Sequence, residues 1–212
     1  MRSVRVIVDP QRGWLPWRTV PKPGQIALTF DDGPDPVNTP LVLSALEQYG
    51  LKANFFLVGQ NAEKHPDLVK QIVDQGHVVG SHSFDHAHLT KLKLESAKEN
   101  ILKGARIVSQ LSGRRSPFFR FPYGRSNSAL RSFVLEQGFL RFLWDIDSYD
   151  WRNSDPEPIV QGVISSLKKK GKGIILLHDS LPVTVRSLAN LVSRLDEFGQ
   201  FVYFDWPSRA DI

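Results

Sequence analysis

Cysteine is absent from the 212 residues, and methionine occurs once. Without thiols there can be no disulfide, no thiolate metal ligand and no cysteine nucleophile, so oxygen and imidazole are the metal donors available. Nor does the chain contain a run of about 18 apolar residues, the length a membrane-spanning helix requires, and no stable membrane insertion is expected. There is no repeat of fixed period and no low-complexity tract, which removes solenoids and disordered arrays. The segment Met1-Arg2-Ser3-Val4-Arg5-Val6-Ile7-Val8 carries charge but too short an apolar core for a secretory signal. No signal peptide is read in this chain.

What is present fits one soluble globular domain: hydrophobic residues make up 41% and charged residues 23%, and a chain of this length buries a core without a staple. Lys and Arg exceed Asp and Glu by 27 to 22, a formal charge of +5. The bases are scattered, and the dense run Lys168-Lys169-Lys170-Gly171-Lys172 reads as a solvated helix end. No nucleic-acid partner is expected, whereas an acidic cell-wall polymer would suit the charge.

Prolines at 10, 16, 21 and 23 mark residues 1–24 as an irregular lead-in. Strand and helix then alternate. Gln25–Phe30 is an apolar run ending in acids. A helix follows over Pro40–Tyr49, with Thr39 at its N-cap and Pro40 at its first turn. Strands are expected at Ala53–Val58, His77–Ser81, Phe118–Phe121, Leu140–Ile146, Gly173–Leu177 and Phe201–Phe204. Helices are expected at Pro66–Gln75, Leu94–Leu111, Ser128–Gln137, Pro158–Lys169 and Val183–Phe198. About seven strands joined by helical crossovers require a mainly parallel sheet, open or closed into a barrel. Residues 206–212 are left as a tail.

Each strand ends where a polar cluster begins, and in parallel sheets those ends share the face that carries the ligand site. Asp31 and Asp32 follow the first strand, and adjacent carboxylates repel unless a positive group lies beside them. A helix-capping acid is the ordinary reading of such a pair. His82 and His86, four apart, can bring two imidazoles to one metal, while His88 is read as an outlying or solvent-facing residue. Two imidazoles and one carboxylate with open positions suit a hydrolytic metal, zinc first. One acid of the Asp pair then binds the metal and the other is free to act as a base, which Arg120 could hold by a bidentate contact. His178 emerges from a buried strand and needs an acid partner, with Asp147, Asp150 and Asp179 as candidates.

Five ordered segments carry a resemblance: Thr29-Phe30-Asp31-Asp32-Gly33-Pro34, His82-Ser83-Phe84-Asp85-His86, Arg120-Phe121-Pro122-Tyr123-Gly124, Asp147-Ser148-Tyr149-Asp150-Trp151 and Leu176-Leu177-His178-Asp179. Together they resemble the polysaccharide deacetylase family, carbohydrate esterase family 4, or NodB-homology domain, over residues 25–205. The resemblance implies a distorted, incomplete (β/α) barrel of about seven strands with outer helices. It implies Asp31 as catalytic base, oriented by Arg120, and Asp32, His82 and His86 as ligands of one divalent transition metal, zinc with cobalt or nickel as alternatives. It further implies the Tyr123 N–H as an oxyanion donor and His178 as the acid, tuned by Asp150. Trp151, Leu176 and Pro122 would line the acetyl pocket, with Asp147 and Asp179 in supporting positions.

The activity so implied is removal of N-acetyl groups from an amino-sugar polysaccharide, peptidoglycan ahead of chitin oligosaccharides or poly-N-acetylglucosamine. The chain would act as a monomer outside the cytoplasm. An acetyl-xylan type O-deacetylase, a hydrolase of small cyclic amides and an inactive glycan-binding module are the alternatives.

Overall fold

A computed structural model describes residues 2–8 and 21–206. Nine strands are seen: β1 Val4–Ile7, β2 Gln25–Asp31, β3 Asn54–Leu57, β4 Val78–Ser81, β5 Phe118–Phe119, β6 Leu140–Arg141, β7 Ile146–Asp147, β8 Gly173–His178 and β9 Gln200–Asp205. Seven helices accompany them: α1 Asn38–Gln48, α2 Gly59–Lys64, α3 Pro66–Asp74, α4 Leu94–Ser112, α5 Ser128–Glu136, α6 Pro156–Lys170 and α7 Pro182–Leu195.

The strands pair in the order β6-β5-β4-β3-β2-β8-β7, every pairing parallel. Among the described residues no ladder joins β6 to β7, so the barrel is incomplete, as expected. The expected strand Leu140–Ile146 is thus two short strands with a break at residues 142–145. There the chain leaves β5, its partner at one side of the gap, for β8 at the other.

Side chains of a strand alternate between faces, and the cores follow that period. Ile26, Leu28, Phe30, Phe55, Leu57, Ile175 and Leu177 pack in one cluster with residues of α1, α3, α6 and α7. The intervening Ala27, Phe56 and Ile174 join Val78, Phe118, Phe142 and Phe204 in a second cluster. Continued along the strands, this second face reads Thr29 and Asp31 on β2, Gly80 and then His82 from β4, Arg120 after β5, and Leu176 and His178 on β8. The barrel interior therefore changes from apolar at the amino ends of the strands to ionisable at their carboxyl ends.

Two local expectations are corrected, and one helix lay outside them. The N-terminal lead-in is not irregular throughout, because Val4–Ile7 forms a strand parallel to β9 across some 200 residues of sequence. The remainder of that lead-in at residues 9–20, and all but Trp206 of the tail, lie outside the described residues. Thr39 is not the N-cap of α1, which begins at Asn38. Asp35 Oδ1 accepts from the Val37 and Asn38 amides at 3.0 and 2.7 Å. The Thr39 hydroxyl instead accepts from the Asp35 amide and donates to Asp179, a partner 140 positions away. Finally α2, with the polar sequence GQNAEK, has too little apolar periodicity to be expected from sequence.

Candidate metal centre and active site

β2 ends in Asp31, whose side chain lies on the interior face, and strand geometry alone would turn the next residue away. Asp32 escapes this because its backbone is left-handed (φ 75°), a conformation that Asp tolerates better than most residues. Both carboxylates therefore face the barrel centre. The Asp32 carbonyl is held by Asn61 Nδ2 at 2.8 Å.

Asp32, His82 and His86 offer one donor atom each, all within 4.8 Å of one another. His86 Nε2 lies 3.2 Å and His82 Nε2 3.5 Å from Asp32 Oδ1, a buried oxygen without a hydrogen-bond partner. His82 Nδ1 sits 2.8 Å from the Arg120 carbonyl, and since that oxygen only accepts, Nδ1 carries a proton, the tautomer that in a neutral ring leaves the Nε2 lone pair toward Asp32. Burial lowers the His86 pKa, against the raising effect of Asp32, which favours the neutral form that a metal ligand requires. Two imidazole nitrogens and a carboxylate oxygen thus converge on one point. A cation relieves that arrangement, and the donor set suits zinc or a similar transition metal.

Two ion pairs flank the triad. Arg120 is fully buried, and its Nη1 donates to Asp31 Oδ1 at 2.6 Å and to Thr29 Oγ1 at 3.0 Å. Its Nη2 donates to the Leu143 carbonyl at 3.1 Å, and the guanidinium lies over the Phe56 ring at 4.1 Å. Burial lowers the Arg120 pKa and the Asp31 charge opposes that fall. The other Asp31 oxygen faces His82 Nε2 at 3.7 Å.

Opposite, His178 Nδ1 meets Asp150 Oδ1 at 2.7 Å, while Asp150 Oδ2 accepts from the His178 amide at 2.8 Å and Thr184 Oγ1 at 2.6 Å. Burial on its own would lower the His178 pKa. The hydrogen bond and charge of Asp150, with Asp31 and Asp32 behind it, outweigh burial and push it up to about 9. For Asp150, burial raises the pKa, but the His178 and Thr184 bonds prevail and lower it. His178 Nε2 points toward the triad, 4.0 Å from Asp32 Oδ2.

Of the three acids considered for His178, the structure places Asp150 against it. Asp147 accepts from the Tyr149 amide at 2.8 Å. Asp179 is buried beneath Gly33, and burial pushes its carboxyl up to about 7 against the Thr39 hydrogen bond. Tyr123 occupies a 3-10 turn with Pro122 and has left-handed backbone (φ 58°). The flanking amides of Gly124 and Arg125 are used inside that turn. Its ring stacks on His88 at 3.8 Å and meets His86 edge-on at 4.5 Å. Leu176 is buried in register with Thr29 and Asp147, and Trp151 stands 58% exposed in the turn Asp150–Arg152.

Several contributors escaped the sequence reading. Thr29 and Thr184 each hold one member of an ion pair, and the Arg120 carbonyl fixes the His82 tautomer. The signal for Thr184 is its place in the first turn of a helix that follows the His178 strand.

Residues 18–141 match the family model described as polysaccharide deacetylase. A peptidoglycan-N-acetylglucosamine deacetylase of Bacillus cereus is 34% identical over 85% of this chain and 68% of its own length. A chitooligosaccharide deacetylase of Sinorhizobium fredii is 32% identical over 86% of this chain and 92% of its own. Among solved structures, a Bdellovibrio bacteriovorus peptidoglycan deacetylase superposes with a TM-score of 0.88 at 28% identity. That match covers 98% of this chain and 60% of that one. The chain belongs to the polysaccharide deacetylase family.

Proposed function

We propose that this chain is a metal-dependent N-deacetylase of amino-sugar polysaccharides, with peptidoglycan as the preferred polymer. The observation that carries the reading is the placement of a base pair and an acid pair on opposite sides of one triad. Asp31 with Arg120 lies against His82, and His178 with Asp150 faces Asp32. Similarity to the Bacillus cereus peptidoglycan deacetylase and the basic charge balance support the choice of polymer. The chain would then work outside the cytoplasm, and among the described residues no helix is long and apolar enough to cross a membrane.

Asp32, His82 and His86 would hold the metal, zinc by its donor set. When bound, such an ion acts as a Lewis acid that polarises a carbonyl and makes water a nucleophile near neutral pH. Asp31, fixed by Arg120, takes a proton from the attacking water. The Tyr123 N–H donates to the oxyanion of the tetrahedral intermediate, a contribution of about 3 kcal/mol for donors of this kind. His178, protonated at neutral pH, gives its Nε2 proton to the sugar nitrogen as the carbon–nitrogen bond breaks. Acetate and a free amine are released. Asp150 anchors the far side of the imidazole, so that Nε2 is the nitrogen that faces substrate. Leu176, Pro122 and the exposed Trp151 supply the apolar wall for the acetyl methyl.

Acetate release from peptidoglycan, chitin oligosaccharides and poly-N-acetylglucosamine, with chelation and zinc add-back in the same series, tests this. Zinc-dependent release that is fastest on peptidoglycan is expected. No release from any of the three would overturn the proposal.

A further inference from the structure

His82 and His86 are joined by the loop Ser83-Phe84-Asp85, and this loop is strained. Ser83 and His86 both have left-handed backbone, φ 67° and 58°, a region uncommon for residues other than glycine and tolerated better by His than by Ser. Such a conformation persists only where its surroundings over-determine it. Two helices do so. From one side, the amides at the start of α2 reach the loop. Gly59 N–H donates to the Ser83 carbonyl at 2.9 Å and Gln60 N–H to the Phe84 carbonyl at 2.7 Å.

From the other side comes α4. Asn100 Oδ1 accepts from the Phe84 amide at 2.9 Å, and its Nδ2 donates to Asp85 Oδ1 at 2.7 Å. That same Asp85 oxygen accepts from the Ala87 amide at 3.0 Å. One helical turn on, Gly104 lets α4 come against the loop. A Cβ there would sit 2.3 Å from the Ser83 carbonyl carbon and oxygen and 2.7 Å from the Phe84 nitrogen, while a Cβ on Gly59 would meet Gly104 Cα at 2.8 Å. These neighbours are backbone and cannot yield by a rotamer change.

We propose that Asn100 and Gly104 of α4 are positioning residues that clamp the Ser83–Asp85 backbone and thereby set where His86 meets His82 and Asp32. The inference rests on the metal-site reading above. It adds that metal affinity is encoded on a helix face whose hydrogen bonds and close approach go to the loop between the ligands. The bond partners that orient a ligand typically change affinity or activity by about 10–100-fold when removed, and a clamp acting through the loop backbone falls in the same class.

The test uses the full chain stripped of metal by chelation. Zinc affinity is measured by competition with a chromophoric chelator, and the cobalt-substituted protein is examined for its d–d absorption, for wild type, Asn100→Ala, Gly104→Ala and Lys103→Ala. Lys103 is the neighbouring control, since its Nζ lies over the Phe84 ring at 3.4 Å and outside the clamp. Asn100→Ala is expected to weaken zinc binding about tenfold and Gly104→Ala at least as much. Both should alter the cobalt spectrum, with Lys103→Ala unchanged. At saturating metal, Asn100→Ala should show a lowered kcat with KM near wild type. If Gly104→Ala does not fold, the half-buried Asn100→Ala carries the test. Wild-type affinity and spectrum in Asn100→Ala would overturn the clamp while leaving the metal site standing. A wild-type chain that binds neither ion would overturn both.

Discussion

Two histidines, one buried and one partly buried, sit at opposite ends of the sheet. His77, just before β4, accepts the Ala53 amide on Nδ1 at 3.1 Å, and burial, followed by the Lys52 charge, lowers its pKa to about 3. His178, at the end of β8, is pushed up to about 9, because Asp150, Asp31 and Asp32 together outweigh the burial that acts on both rings. Burial is common to the two and cannot set the difference. The difference is what the strand ends offer: an amide and a lysine at the amino end, three carboxylates at the carboxyl end. A neutral histidine packed against Phe55 is a structural part. A cationic histidine facing the Asp32, His82 and His86 triad is suited to give up a proton.

Deleting each ring should separate the two histidines by the widest margin. His178→Ala should reduce acetate release by about 10²–10⁴-fold, the usual loss for a proton-transfer group, whereas His77→Gln should stay within about twofold of wild type. Steady-state rates at saturating zinc decide it, and equal losses would erase the functional contrast.

Next comes the pair that shares the carboxyl end with His178. Arg120→Met leaves Asp31 buried without its cation and should cost about 3–5 kcal/mol of stability, read by urea unfolding of the metal-free protein. Asp150 keeps its bonds from the His178 amide and Thr184 when the ring is lost, so His178→Ala should cost clearly less. A reversed order would mean that Asp31 finds another partner.

The pH dependence of stability sharpens the contrast from the other end. His77 has a folded pKa of about 3, below its unfolded value of about 6.5. Between those values the unfolded chain binds the extra proton. Stability from neutral His77 is therefore complete above about pH 6.5 and falls by about 1.4 kcal/mol per unit as the pH drops toward 3. Subtracting the His77→Gln profile from wild type should isolate that slope, and parallel profiles would refute the assignment.

The smallest effects are shifts of the pH–rate profile. Asp150→Asn removes the main group that raises the His178 pKa, so the basic limb of kcat/KM should move to lower pH. Thr184→Val, which removes one hydrogen bond to Asp150, should move it the same way by less. A limb that stays in place in both variants would separate it from His178.

Much of this was legible in the sequence because it is local. Apolar runs with polar ends located the strands, and Asp31, His82, Arg120 and His178 each follow one directly. What was not legible depends on partners far away in the chain. Thr39 looked like a helix cap, yet its hydroxyl serves Asp179. Val4–Ile7 is a strand only because β9 is there to pair with it. Asn100 and Gly104 look like ordinary helix residues until the loop they hold is placed against them. The residues alone left Asp147, Asp150 and Asp179 open as partners of His178; the resemblance pointed to Asp150, and the turn that follows β7 gives the physical reason, because there Asp147 accepts from the Tyr149 amide.

Hydrolysis of an acetamide by the carboxyl-end site is tested by counting both products from purified peptidoglycan, acetate and new primary amine, after chelation and then with one equivalent of zinc per chain. Acetate and amine in equal amounts, absent after chelation and restored by the single equivalent, is the predicted result. Acetate without matching amine, or no acetate from the zinc-loaded chain, would contradict it.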